Sequence, residues 1–313
     1  MTIASIDIGS NTVLLLIAEY DRENQNLKSV VNHYTTPRMS EGLLPGGRIS
    51  ESKINSLLKI ISDYKNIATQ NNCSVILLKA TNAFRIASNS QEIIRLIKER
   101  FSLETEIISG DEEARLTFLG SAYPLNLNES KTILDIGGGS TEIIYGNLKG
   151  IILKKSFDIG VVSLTEKFMP ALPPSREVIS KTMEYIDETF TGLSLIIPQN
   201  IKTIAVAGTP TTLSCIKQGI RIYDDSLVDS SILSIEELRN IISLLANMRK
   251  EEVLPNYGEV AKGREDLLLA GSLILQGIMQ QLSVEKIIVS SKGLRYGTVI
   301  DYLIKNQWMN TAK

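Results

Sequence analysis

Apolar positions open the chain as two strand-like runs, Ile3 to Ile8 and Val13 to Tyr20, joined by the polar turn Gly9-Ser10-Asn11 and closed by a polar break from Asp21 to Gln25. That pattern predicts a β-hairpin. A second hairpin is predicted from Thr132 to Tyr145, with Gly137-Gly138-Gly139-Ser140 as its turn and Gly146-Asn147 after it. Aligned, IDIGSNTVLLLI and LDIGGGSTEIIY put Asp7 and Asp135 in register. One unit is used twice, which excludes short-period arrays such as solenoids and propellers. After the first hairpin, Ile54, Leu57, Leu58 and Ile61 recur at helical spacing within Ser52 to Gln70. Ser74 to Lys79 then reads as a strand and Gln91 to Arg100 as a helix. In the second half, helices are predicted over Arg176 to Thr189 and Ile235 to Met248, and strands over Thr203 to Ala207 and Lys286 to Val289. Hairpins combined with crossovers predict mixed sheets in an α/β chain. The Pro-dense stretch Met169 to Pro174 reads as a loop inside the second half.

Length and charge narrow the class. A chain of 313 residues has room for two domains and a core in each. With 33 basic and 35 acidic residues the net charge is −2, so nothing draws the whole molecule to nucleic acid or to an anionic membrane. The aromatic share of 5% argues against a base-stacking surface. Cys73 and Cys215 are far apart and outside any C-x-x-C or Cys/His cluster, which excludes a disulfide framework and a structural zinc; two small buried thiols are expected. The N-terminus has no basic n-region, its apolar run is cut by Asp7, Ser10 and Asn11, and Leu267 to Met279 is too short to span a bilayer. A soluble cytoplasmic protein without nucleic-acid or membrane partners is expected. His33 is the only histidine and stands in no nucleophile motif, and the chain carries neither a Walker A pattern nor a G-x-G-x-x-G after a strand.

The chemistry is concentrated in turns. Three glycines at 137–139 let consecutive backbone N–H groups converge on an anion, so Gly137, Gly138, Gly139 and Ser140 are candidate phosphate ligands; a glycine-rich hairpin without a ligand is the plain alternative. Asp135 and Glu142 flank that turn and would repel phosphate unless a cation intervened. Oxygen donors without histidine suit Mg²⁺, which makes both acids metal candidates. Ser10, Asn11 and Thr12 offer hydroxyl and amide groups as a second wall. Ser109-x-x-Glu112 has the spacing of a capping box, with Glu113 in the first turn, where the helix dipole lowers a carboxyl's pKa unless burial restores it. Arg85 follows a predicted strand on the ligand side of an α/β sheet and suits bidentate phosphate contact, a surface arginine with a structural partner being the plain alternative; Gly208-Thr209 and Ser290 to Gly297 are further turns after strands, candidates for more phosphate contacts or simple connections. Arg85, Lys262, Arg264, Lys292 and Arg295 are the cations expected to gather if a polyanion binds.

Together these segments resemble the exopolyphosphatase and guanosine pentaphosphate phosphohydrolase family, in the superfamily of acetate and sugar kinases, Hsp70 and actin. The resemblance covers nearly the whole chain. It rests on DIGSNT at Asp7 to Thr12, the T-x-A-x-R-x-A-x-N pattern at Thr81 to Asn89, SGDEEARL at Ser109 to Leu116 and DIGGGSTE at Asp135 to Glu142. AGTPTTL from Ala207, GREDLLLAG from Gly263 and GLRYG from Gly293 add to it, although the family usually has alanine at the place of Glu265 and often an acid at that of Tyr296. The resemblance implies two ribonuclease-H-like α/β lobes with a cleft between them, one of residues 1–116 plus 298–313 and the other of 117–297. Long forms of the family append a helical HD-type domain, which a chain ending at Lys313 without a His-Asp pair is expected to lack, leaving its hold on long chains open.

By the same resemblance Glu113 is the catalytic glutamate, which activates water. Asp135 and Glu142 hold Mg²⁺, and Arg85 holds the terminal phosphate. The implied reaction is hydrolysis of the terminal phosphoanhydride of inorganic polyphosphate, of guanosine pentaphosphate to tetraphosphate, or of both, with a homodimer among the assemblies allowed. Two other readings stand beside it: a kinase or ATPase of the same superfamily, and a module that binds the guanosine alarmone without turning it over.

Overall fold

The structure, a computed structural model, describes residues 1–123, 129–147 and 150–309. Its first strand β1 (Thr2–Ile8) is buried on both faces, which is why its apolar run is nearly continuous. Chain order continues with β2 (Val13–Asp21), β3 (Asn26–Thr35), α1 (Glu51–Gln70), β4 (Val75–Ala80), α2 (Asn82–Ile86), α3 (Ser90–Phe101), β5 (Thr105–Ile107) and α4 (Gly110–Ala122). The five strands lie in the order β3-β2-β1-β4-β5; the first two pairings are antiparallel and the last two parallel. Ala4, Ile6 and Ile8 pack on one face with Leu57 and Ile61 of α1 and Ile93 and Ile97 of α3.

The polar break predicted at Asp21 to Gln25 is the tip of a second hairpin, held by Asp21 Oδ1, which accepts from the backbone N–H of Glu23 and Asn24 at 3.0 and 3.2 Å. Strand β3 escapes the sequence pattern because it is an edge strand, mostly exposed and without a clean apolar alternation. His33 lies exposed on it.

The second sheet repeats the plan. Its elements are β6 (Lys131–Ile136), β7 (Thr141–Asn147), β8 (Gly150–Phe157), α5 (Val161–Phe168), α6 (Arg176–Phe190), β9 (Thr203–Val206), α7 (Gly208–Gln218), α8 (Asp225–Val228), β10 (Ile232–Ser234), α9 (Ile235–Leu245), α10 (Lys250–Tyr257), α11 (Leu268–Gln281) and β11 (Lys286–Val289). Strand order is β8-β7-β6-β9-β11, with the same sequence of antiparallel and parallel pairings as in the first sheet, plus the antiparallel edge strand β10. The duplication read from the two hairpins is therefore a duplication of topology. The apolar stretch Leu267 to Met279 is the core of this sheet's helical layer: α11 is buried almost all round.

Helix α12 (Leu294–Lys305) returns to the first sheet and covers its other face, where Val299, Ile300 and Leu303 meet Ile3, Leu16 and Ala18. The chain accordingly forms two compact units, Met1–Tyr123 with Gly293–Lys313, and Pro124–Lys292. Both α4 and α12 belong whole to the first unit because their backbones touch: a Cβ on Gly297 would lie 1.7 Å from the Leu116 carbonyl oxygen, and one on Gly120 2.1 Å from that of Gly293. Among the described residues no helix is long and apolar enough to cross a membrane.

Candidate active site

The two turns that carry the repeated motif close in the same way. Gly9 N–H donates to the Thr12 carbonyl at 3.0 Å, and Gly137 N–H to that of Ser140 at 2.9 Å. In the second unit, Val161 and Val162 at the start of α5 donate to the carbonyls of Gly137 and Gly138 at 2.9 and 2.8 Å. The C=O and the N–H of one peptide plane point in opposite directions, so the amides of Gly138 and Gly139 face away from α5, free of any Cβ. In the first unit a strap does the same work. Arg38 and Ser40 donate their backbone N–H to the carbonyls of Asn11 and Ser10, each at 3.0 Å. Lys53 of α1 pins the strap through the carbonyls of Pro37 and Arg38. Sequence reasoning missed this strap, because residues 36–49 carry no periodicity. Ser10 and Asn11 are each only 5% exposed, and Ser10 Oγ and Asn11 Oδ1 have no hydrogen-bond partner among the described residues. Buried polar atoms of that kind mark a place where a ligand or water belongs. Thr12 is buried beside them, its Oγ1 3.4 Å from Asn11 Nδ2.

Glu113 stands in the first turn of α4, whose N-cap Ser109 accepts from Glu112 N–H at 3.1 Å. The capping box expected there is only half made: the Glu112 carboxylate does not return to the cap but takes two hydrogen bonds from Arg115. A guanidinium offers two charged donors where a backbone amide offers one neutral one. Glu113 is largely buried, with 13% of its side chain exposed, and its Oε2 accepts from Arg85 Nη1 at 2.7 Å. The same nitrogen donates to the Ile108 carbonyl at 3.0 Å, so Arg85, carried by α2 at the end of β4, is anchored to backbone as well. Burial pushes the Glu113 carboxyl above its ordinary range against the opposing pull of Arg85. Burial thus outweighs the lowering influence of Arg85 on this carboxyl.

Asp135 and Glu142 are directly opposed across β6 and β7, which places both carboxylates on one face of the sheet. They are 9% and 1% exposed, and Glu142 Oε1 accepts from Ser156 Oγ at 2.6 Å. Among the described residues no group of three or more acidic, histidine or cysteine side chains is gathered as a metal site. Two adjacent carboxylates, one of them beside the Ser156 hydroxyl, nevertheless fit Mg²⁺, which keeps several waters and takes its remaining ligands from substrate phosphates. A divalent cation would also relieve the repulsion between two such buried charges.

At Ala207, φ is 76° and ψ −173°, a positive-φ conformation almost confined to glycine, and α7 starts immediately after it. The Arg264 guanidinium lies on Gly208, where a Cβ would sit 2.0 Å from its Nη1. Thr209 turns its side chain inward: a Cβ on Gly271 of α11 would be 2.4 Å from Thr209 Oγ1. Thr209 can therefore meet a ligand through its backbone, not its hydroxyl. Of the other expected cations, Lys262 pairs with Glu259 at 2.9 Å, Lys292 with Asp229 at 3.0 Å, and Arg295 is held by Asn32 Oδ1. Arg85 and Arg295 belong to the first unit; Lys262, Arg264 and Lys292 belong to the second. The two cysteines are not alike. Cys215 is buried, which pushes its thiol up to about 11, whereas Cys73 is partly exposed, contrary to expectation.

A sequence model described as the Ppx/GppA phosphatase family matches residues 16–306 of this chain. The chain belongs to that family. Among Ppx/GppA relatives, exopolyphosphatase 1 of Mycobacterium leprae is 26% identical over 303 residues, covering 96% of this chain and 89% of the relative. The bifunctional 3-dehydroquinate synthase/phosphatase of Fusobacterium nucleatum is 31% identical over 309 residues, 95% of this chain, but the match spans only 46% of that longer protein. The crystal structure of a Ppx/GppA family member from Aquifex aeolicus superposes with a TM-score of 0.83 at 27% identity and covers 98% of each chain. An exopolyphosphatase from Cytophaga hutchinsonii gives 0.88 at 25% identity over 99% of this chain and 100% of its own. These neighbours share the two-lobed actin-like fold, as the resemblance implied.

Proposed function

We propose that the chain hydrolyses the terminal phosphoanhydride of inorganic polyphosphate and releases orthophosphate. The reading is carried by one observation: a largely buried glutamate, Glu113, ion-paired to Arg85 at the start of a helix. In this scheme Glu113 accepts a proton from a water whose oxygen attacks the terminal phosphorus in line with the bridging P–O bond. That bond breaks, and its electron pair leaves with the shortened chain. Arg85, shared between Glu113 and the incoming phosphate, holds the reacting group. Within the first unit the buried side chains of Ser10, Asn11 and Thr12 would hydrogen-bond phosphate oxygens; within the second, the amides of Gly138 and Gly139, Ser140, the start of α7 at Gly208 and Arg264 are suited to the same task. Asp135 and Glu142 are the residues to hold Mg²⁺, which would neutralise charge developing on the transferred oxygens. Guanosine pentaphosphate presents the same terminal bond to the same groups. The relatives named exopolyphosphatases support polyphosphate as the first choice.

A side-by-side phosphate-release assay tests this reading on polyphosphates of several lengths, guanosine pentaphosphate and ATP. Release from polyphosphate is expected to exceed that from ATP and to fall at least about a hundredfold when a chelator removes Mg²⁺. Faster ATP cleavage, or transfer to an acceptor, would turn the reading toward a kinase or ATPase; tight alarmone binding without release from any substrate would turn it toward a sensor.

The contact at Gly208 supplies a second check. Gly208→Ala places a methyl group where the Arg264 guanidinium lies, and the end of a long side chain can swing away at little cost. The unfolding midpoint is expected to hold, while KM for polyphosphate rises roughly tenfold through loss of a charged hydrogen bond. An unchanged KM removes Arg264 from the binding machinery.

A further inference from the structure

Glu112, next to Glu113, faces another way, because successive side chains on a helix are turned by about 100°. Its two oxygens accept from Arg115, Oε2 from Nε at 2.8 Å and Oε1 from Nη2 at 2.7 Å. The same Nη2 reaches across to α12 and donates to Asp301 Oδ1 at 2.8 Å. Asp301 Oδ2 pairs with Lys305 at 2.7 Å, so two acids and two bases form a neutral chain from the first turn of α4 to the far end of α12. Arg115 holds the Glu112 carboxyl below the ordinary range. At Asp301 burial works in the opposite direction, but hydrogen bonds from Lys305 and Arg115 outweigh it, so both acids stay charged.

The two helices are already at backbone contact around Leu116, Gly120 and Gly297. That contact sets their distance and the faces that meet. The Arg115 fork, at the residue before Leu116, extends the hold to Glu112 in the first turn of α4, beside Glu113. The lever is sensitive: with a carboxylate about 6 Å from the axis, a rotation of about 10° moves it by about 1 Å. Misplacement of that size can lower a rate by about a hundredfold.

We propose that Arg115 and Asp301 are positioning residues for hydrolysis, fixing the rotation of the first turn of α4 and through it the direction of the Glu113 carboxylate. The inference rests on Glu113 being the base. Arg85 holds that carboxylate through one nitrogen, Nη1, which also serves the Ile108 carbonyl, so the Arg115 tie is a second hold on the same turn.

The test compares Asp301→Ala, Asp301→Glu, Arg115→Lys, Glu113→Gln and the double variant Glu113→Gln/Asp301→Ala in the full chain, by steady-state phosphate release from polyphosphate and by thermal unfolding. Asp301→Ala, which removes the acceptor, is expected to lower kcat per folded molecule about tenfold with KM within about twofold, and Asp301→Glu to restore most of it. In the Glu113→Gln background the second substitution is expected to add no further loss, because nothing remains to be aimed. A purely structural role would shift the unfolding midpoint and leave kcat per folded molecule unchanged. If Asp301→Ala does not fold, Arg115→Lys decides: it keeps the charge but cannot fork to both acids, so the same loss in kcat is expected. Wild-type kcat in the folded variants overturns the positioning role, as does a second loss of equal size in the double variant. Should Glu113→Gln itself turn over at the wild-type rate, it is the base assignment that fails.

Discussion

Glu113→Gln is expected to lower kcat by between about a hundred and ten thousand times while leaving KM within a fewfold, because a positioned general base contributes that much and little else at this position touches substrate binding. Glutamine keeps the shape and can still accept from Arg85, which remains anchored by the Ile108 carbonyl. What it cannot do is take a proton. Steady-state phosphate release at saturating polyphosphate measures the loss, and activity near that of the wild type would falsify the assignment. The wild-type pH profile carries the same signature. As a general base Glu113 would work deprotonated, so kcat/KM should fall on the acid side as pH drops through its pKa. Burial has raised that pKa, so the acid limb is expected at higher pH than for an ordinary glutamate, and Glu113→Gln removes the limb together with the activity.

Gly297→Ala is expected to destabilise the first unit by about 3 kcal/mol or more, the upper end of what overpacking does. At an ordinary helix position the same change would stabilise by about 1 kcal/mol, since alanine is the better helix former. Here the new methyl would meet the Leu116 carbonyl oxygen at 1.7 Å, and the obstacle is backbone. Helices α4 and α12 would have to separate, opening the layer that holds Val299, Ile300 and Leu303 against the sheet. Urea or thermal unfolding reads the change, with Gly150→Ala as control: a Cβ there has nothing within 4 Å, and the midpoint should stay within about 0.5 kcal/mol. A Gly297→Ala variant as stable as the wild type would mean that the two helices are not locked at that distance. Activity should fall with stability, because α4 carries Glu113.

Much of the fold was legible because its signals are local. The hairpins at Asp7 and Asp135 announce themselves by two apolar runs about a turn, and their common register shows a duplication; that the duplication extends to the strand order of two sheets came from the structure. Strands β3 and β8 were not legible: both are exposed edge strands, and an edge strand need not alternate to be stable. The acid pair at Asp135 and Glu142 could be read as metal-compatible from its flanking of a glycine turn, and the strand register then explains why both carboxylates share a face.

Sequence by itself determined the repeated unit, the mixed α/β class, the family motifs and the residue types available for phosphate chemistry, because each depends on neighbours within a few positions. Only tertiary structure decided which groups meet. It paired Arg85 with Glu113, set the Arg264 guanidinium on Gly208, turned Thr209 inward and gave Glu112 to Arg115 instead of to its helix cap. Such choices arise from burial and from competition among distant donors for one acceptor, and these exist only once segments far apart in the chain have packed together.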